Sequence, residues 1–116
     1  MIAADTSTWI AYFQGKPGED TEFLDRALAN RQVVMPPAVL TELLSDPKLA
    51  PSTARMLCEV PRVELLPGYW ERAGRLRAKA KGRKARLGDA LIAQSCRDNG
   101  VELLTRDKDY RIFAQL

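Results

Sequence analysis

Four carboxylates in this chain stand within or just after apolar sequence, and these are the residues best placed to do chemistry. Asp5 closes the run Ile2-Ala3-Ala4, and Glu42 is embedded in Val39-Leu40-Thr41-Glu42-Leu43-Leu44. Asp89 heads a stripe in which Ile92, Ala93 and Cys96 follow at three, four and seven residues, and Asp107 comes two residues after the run Val101 to Thr105. The chain contains no histidine. That removes Ser-His-Asp and Cys-His triads, histidine-ligated metallohydrolase sites and the paired-histidine route to RNA cleavage. Carboxylates brought together repel one another unless a cation neutralises them. Mg2+ or Mn2+ prefers such oxygen ligands, and it can orient a phosphodiester and lower the pKa of a bound water. Two of the acids also have a plainer reading: Asp5 can cap the helix that follows it, and Glu42 can be a solvated surface charge.

The elements that must position these acids alternate between strand and helix. Ile2 to Ala4 reads as a buried strand, followed by the capping turn Thr6-Ser7-Thr8 and a helix that stops near Gly15 and Pro17. Gly18 to Arg31 has the spacing of a helix with one apolar face, and Gln32 to Met35 that of a second strand closed by Pro36-Pro37. The tandem prolines start a helix that carries Glu42 to about Ser45. A short helix over Ser52 to Val60, a third strand over Arg62 to Leu66 and a basic helix with Trp70, Ala73, Leu76 and Ala80 on its packing face follow. The central helix runs from Gly88 to about Asp98, with Asn99-Gly100 as its C-terminal signal. Val101 to Thr105 is a fourth strand, before a last short helix through Ile112 and Phe113 to Leu116. This alternation predicts an α/β fold: a three-layer sandwich with a central, mostly parallel sheet of four or five strands flanked by helices. In such a sheet the carboxyl ends of the strands share one edge, where all four acids can converge.

At 116 residues and 13.0 kDa the chain makes a single domain, 1–116, with 46% hydrophobic and 28% charged residues. It lacks a membrane-spanning run, a basic secretory leader and a glycine-rich phosphate loop. Cys58 and Cys96 both lie in apolar helical patterns and read as buried thiols, which suits a cytoplasmic protein. The net charge of +3 is unevenly spread. Arg72, Arg75, Arg77, Lys79, Lys81, Arg83, Lys84 and Arg86 form a basic arm without an acid, while the remainder carries 10 basic against 15 acidic residues. An acidic body with one basic arm suits a polyanionic partner, although a solvated helix face would look the same.

Asp5-Thr6-Ser7 after an aliphatic strand, Glu42 in Thr41-Glu42-Leu43-Leu44, Gly88-Asp89-Ala90-Leu91-Ile92-Ala93, and Leu104-Thr105-Arg106-Asp107-Lys108-Asp109-Tyr110 together resemble a PIN domain. The resemblance covers nearly the whole chain and is nearest to the VapC-type toxins of type II toxin–antitoxin systems. It implies a metal-dependent endoribonuclease that cleaves single-stranded RNA, with Asp5, Glu42, Asp89 and Asp107 as the acidic quartet around Mg2+ or Mn2+. Ser7 would tune that site by hydrogen bonding. Asp109 could bind a second metal or a water, or cap the last helix. The resemblance further implies a homodimer and silencing by a cognate VapB-type antitoxin that places a basic side chain among the acids. The basic arm, through Arg75, Lys79, Arg83, Lys84 and Arg86, would then hold RNA phosphates near the acidic cleft. Many relatives add a fifth edge strand after the last helix, so a four-stranded sheet or a shortened chain is expected here. A catalytically silent PIN-like module that binds RNA or protein is the alternative from a different class. A haloacid-dehalogenase-like phosphatase is excluded, since it needs a second aspartate where Ser7 stands.

Overall fold

Ile2–Ala4 forms β1, buried along its length as an apolar strand in a covered sheet should be. In the computed structural model, which describes residues 1–80 and 86–107, β1 pairs in parallel with Glu102–Leu104, β2, in the register Ile2 to Glu102, Ala3 to Leu103 and Ala4 to Leu104. On its other side β1 touches the segment 32–34. The Ile2 N–H donates to Gln32 O (2.9 Å) and the Val34 N–H to Ile2 O (2.8 Å), a single parallel bridge between Ile2 and Val33. Met35 bridges Arg62 in the same sense, through Met35 N–H to Pro61 O (2.7 Å) and Val63 N–H to Met35 O (3.0 Å).

The second and third expected strands are therefore reduced to single bridges, and among the described residues the sheet has two strands, not four or five. The reason lies in the prolines. Extending the Met35–Arg62 bridge one rung forward needs the N–H of residue 37, and one rung backward needs that of residue 61; both are proline and have none. At the neighbouring bridge a further rung backward would pair the Gln32 N–H with a carbonyl before Met1, and that N–H goes to Ala27 O at 2.9 Å instead. All the pairings are parallel, as helical crossovers require.

Six helices fill the connections: α1 Thr6–Phe13, α2 Glu19–Ala29, α3 Pro37–Leu44, α4 Pro51–Glu59, α5 Tyr69–Lys79 and α6 Leu87–Asp98. The expected final helix lies outside the described residues. Prolines at the first helical position start α3 and α4, where a missing N–H costs nothing. Glu19, Asp20 and Glu22 in the first turn of α2 complement its positive end. The core gathers Trp9, Leu24, Met35, Val39, Leu57 and Ile92, all fully or almost fully buried. The central helix α6 buries Ala90 and the unbroken run Ile92 to Cys96, so its first turn must stand where the core ends.

Two packing expectations are corrected. Trp70 is 63% exposed, and Tyr69 takes its place on the buried face with Ala73, Leu76 and Ala80. The tyrosine fits because its hydroxyl reaches Leu91 O (2.6 Å), which satisfies its polar end; Trp70 packs edge-on against it, ring centres 4.9 Å apart. Cys58 is exposed, because α4 buries Leu57 alone and the next position lies about 100° round the helix. Cys96 is buried as expected, and burial pushes its thiol up to about 11. No helix among the described residues is long and apolar enough to cross a membrane.

Candidate acidic site

Asp5 occupies the junction between β1 and α1, held beside the end of β2 by its N–H to Leu104 O (2.9 Å). Its backbone is extended, and its carboxylate caps α1 by accepting the Thr8 N–H at 3.0 Å. Such a cap is worth about 1 kcal/mol. Capping does not exhaust the group, because Oδ1 also accepts the Ser7 hydroxyl (2.7 Å) while Oδ2 accepts the Thr105 hydroxyl in a close hydrogen bond. Asp5 is only 2% exposed, and these donors are all neutral. A buried carboxylate served only by neutral donors keeps an attraction for a cation.

Thr105 links Asp5 to Asp107. With its one hydroxyl proton given to Asp5, its oxygen accepts the Asp107 N–H at 2.9 Å. Asp107 itself is half-buried. Glu42, in the last turn of α3, is exposed, contrary to the expectation of an embedded acid; it accepts the Thr6 hydroxyl at 3.0 Å. The same carboxylate lies against the start of α6, where a Cβ on Gly88 would come within 3.6 Å of Glu42 Oε1. Asp89, the next residue, is half-buried in the first turn of α6. No side chain caps α6 from Arg86, and its positive end favours carboxylates nearby.

Short links join some of these positions: Asp5 to Asp107 by way of Thr105, and Glu42 to Thr6, next to Asp5, and to Gly88, the residue before Asp89. The structure does not close the four acids round a point. Among the described residues, no three Cys, Asp or Glu side chains are near enough together to hold a metal ion. In kind the donors suit a hard cation, since the cluster offers carboxylate and hydroxyl oxygens and no imidazole.

The basic arm divides into parts. Arg75 and Lys79 are exposed on α5, and Arg86 is exposed just before α6. Arg83 and Lys84, like Asp109, lie outside the described residues. Arg72 is committed elsewhere: Nε and Nη2 donate to the two Asp98 oxygens at 3.0 and 2.6 Å, and Nη1 donates to Pro67 O at 2.8 Å. That guanidinium, with help from Gln94, holds the Asp98 carboxyl below its ordinary range.

Sequence reasoning missed Thr6, Thr105 and a second ion pair. Asp20 Oδ2 accepts both the Thr8 hydroxyl (3.0 Å) and Arg106 Nε (2.8 Å). Burial alone would raise the Asp20 carboxyl, but the hydrogen bonds from Arg106, Thr8 and the Thr21 N–H outweigh it and hold it low. Thr6, Thr105 and Arg106 lie inside the stretches that carry the family resemblance, but their roles are not legible there, since threonine at a strand end and an acid in a first helical turn are ordinary. A cleft of about 770 Å³ opens beside Asp20, Phe23, Glu102 and Arg106. It borders Thr105 but includes none of the four acids, so this cleft is not the acidic edge.

The model of the PIN domain family matches residues 2–116 of the chain. No curated protein matches it.

Proposed function

Because the chain belongs to the PIN domain family, we propose that it is a metal-dependent endoribonuclease cleaving single-stranded regions of RNA, and that it serves as the toxin of a toxin–antitoxin pair. Nucleases are the usual members of this family, and they generally use divalent metals. The observation that carries the reading is Asp5: a carboxylate buried at the mouth of the fold, supplied only by neutral donors, and linked to Asp107 by way of Thr105.

Asp5, Asp89, Glu42 and Asp107 would hold Mg2+ or Mn2+, which when bound supplies Lewis acidity toward a phosphodiester and acidifies a water. Ser7, Thr8 and Thr105 fix the Asp5 carboxylate in one orientation, so that little freedom remains to be lost on ligation. Arg75, Lys79, Arg83, Lys84 and Arg86 would hold the phosphates that the acids themselves repel. On this reading a homodimer and a VapB-type antitoxin, which inserts a basic side chain where the cation would sit, complete the system.

The competing reading is a silent module that binds RNA or protein without cutting, and the open spacing of the acids favours it. The burial of Asp5 as a carboxylate with only neutral donors, which a pure binding surface does not need, favours the nuclease. Incubating a labelled single-stranded RNA with the protein in Mn2+, in Mg2+ and in EDTA, beside Asp89→Asn, decides between them. Metal-dependent cutting lost in the variant supports the nuclease. Tight binding without cutting supports the module.

A further inference from the structure

The segment Thr105–Asp107 carries the hydroxyl that orients Asp5 and the backbone that leads into Asp107, yet it follows the end of β2 and has no ladder of its own. What fixes it is Arg106, whose side chain turns away from the acids. Its Nε donates to Asp20 Oδ2 at 2.8 Å and its Nη2 to Pro17 O at 2.6 Å. The guanidinium lies against Gly18 so closely that a Cβ there would clash with Nη2, and Gly18 has a φ of +155° that other residues rarely adopt. Asp20 is held in turn by the Thr8 hydroxyl at 3.0 Å, and Thr8 donates its own N–H to Asp5. The Arg106 N–H faces the Ser7 oxygen at 3.4 Å. Both donors to Asp5 Oδ1 and the donor to Oδ2 are therefore joined to one arginine.

We infer that Arg106 is a positioning residue of the acidic site: clamped between Asp20 and Pro17, it holds Thr105 and Asp107 against Asp5. This rests on the proposed nuclease reading for its consequence in catalysis, but not for the clamp itself. A lysine offers one compact ammonium and cannot donate in the two fixed directions that Asp20 and Pro17 require, so Arg106→Lys restores the clamp only in part. Loss of a group that orients a metal-binding carboxylate costs about 10- to 100-fold in metal affinity or activity.

The test compares Arg106→Gln, Arg106→Lys and Asp20→Asn with the unmodified chain by four readouts. These are amide hydrogen exchange over residues 104–107, Mn2+ binding by calorimetry, affinity for a single-stranded RNA 12-mer in EDTA, and kcat against KM for its cleavage. The expected result is faster exchange at Arg106 and Asp107, Mn2+ affinity and kcat lowered about 10- to 100-fold in Arg106→Gln, and unchanged RNA affinity and KM. Arg106→Lys should fall between, and Asp20→Asn should act in the same direction. RNA affinity lost with Mn2+ binding intact would make Arg106 a phosphate contact and overturn the inference. So would exchange and Mn2+ binding that do not change. If the unmodified chain neither binds Mn2+ nor cuts, the nuclease reading fails, and exchange alone decides whether the clamp stands.

Discussion

Asp5 and Glu42 border the same edge of the molecule and are held in opposite ways. Asp5 is buried, and both its oxygens are occupied by donors from α1 and from the segment after β2. Glu42 is exposed on a helix and meets the rest of the edge through one threonine hydroxyl and a glycine without a side chain. The first acid is set by folding itself, since it also caps α1 and ties β1 to β2; the second has room to move toward a ligand. On the proposed reading the site is half built by the fold and half completed by the cation. That division accounts for four acids that do not meet at a point.

The largest effect should come from the fixed half. Asp5→Asn should reduce Mn2+ binding and RNA cleavage by more than about 100-fold. Its stability to urea should fall by no more than about 1 to 3 kcal/mol, because asparagine caps a helix as well as aspartate but its amide NH2 cannot accept the Thr105 hydroxyl. Cleavage retained in this variant would break the comparison at its stronger side. Thr105→Val comes next, and it should separate orientation from charge. It leaves a buried Asp5 oxygen without its donor, at a cost of about 1 to 3 kcal/mol in urea unfolding, and cleavage should fall about 10- to 100-fold. Glu42→Gln should lower cleavage about tenfold while thermal unfolding stays within about 0.5 kcal/mol, as for other exposed substitutions. A large loss of stability in Glu42→Gln would show that the loose half is not loose.

The smallest effect concerns the thiols, which repeat the contrast away from the site. Cys58 is exposed, whereas the Cys96 thiol is buried and pushed up to about 11. At neutral pH a thiol-specific reagent should label one cysteine of the native chain and the second only after denaturation, read by intact mass. Because the reactive form is the thiolate, Cys96 should remain unlabelled until the pH approaches 11 or the fold opens.

The sequence makes the helices and the edge of acids legible because both depend on period and order. Asp89 at the head of an apolar stripe places itself, and so does Asp5 at the end of a buried strand. The strands were overdrawn at Gln32–Met35 and Arg62–Leu66, where apolar runs suggested ladders that Pro37 and Pro61 do not permit. Trp70 was misplaced by one position because Tyr69 beside it fits the same helical spacing and has a hydroxyl with an acceptor in reach. Thr105 and Arg106 stand in a stretch that carries the family resemblance, but their roles are hidden for another reason. Their work depends on contacts spanning about 100 residues of sequence to Asp5 and 86 to Asp20, which no local pattern encodes. The burial of Cys58 was wrongly expected because α4 presents one deep residue instead of a broad face.

The most direct measurement is calorimetric titration of Mn2+ into the purified chain, with Asp5→Asn and Glu42→Gln titrated alongside. The account requires binding by the unmodified chain, loss of it in Asp5→Asn and weakening in Glu42→Gln with the fold of both variants preserved. Equal Mn2+ binding by all three chains, or none by the unmodified one, would contradict it.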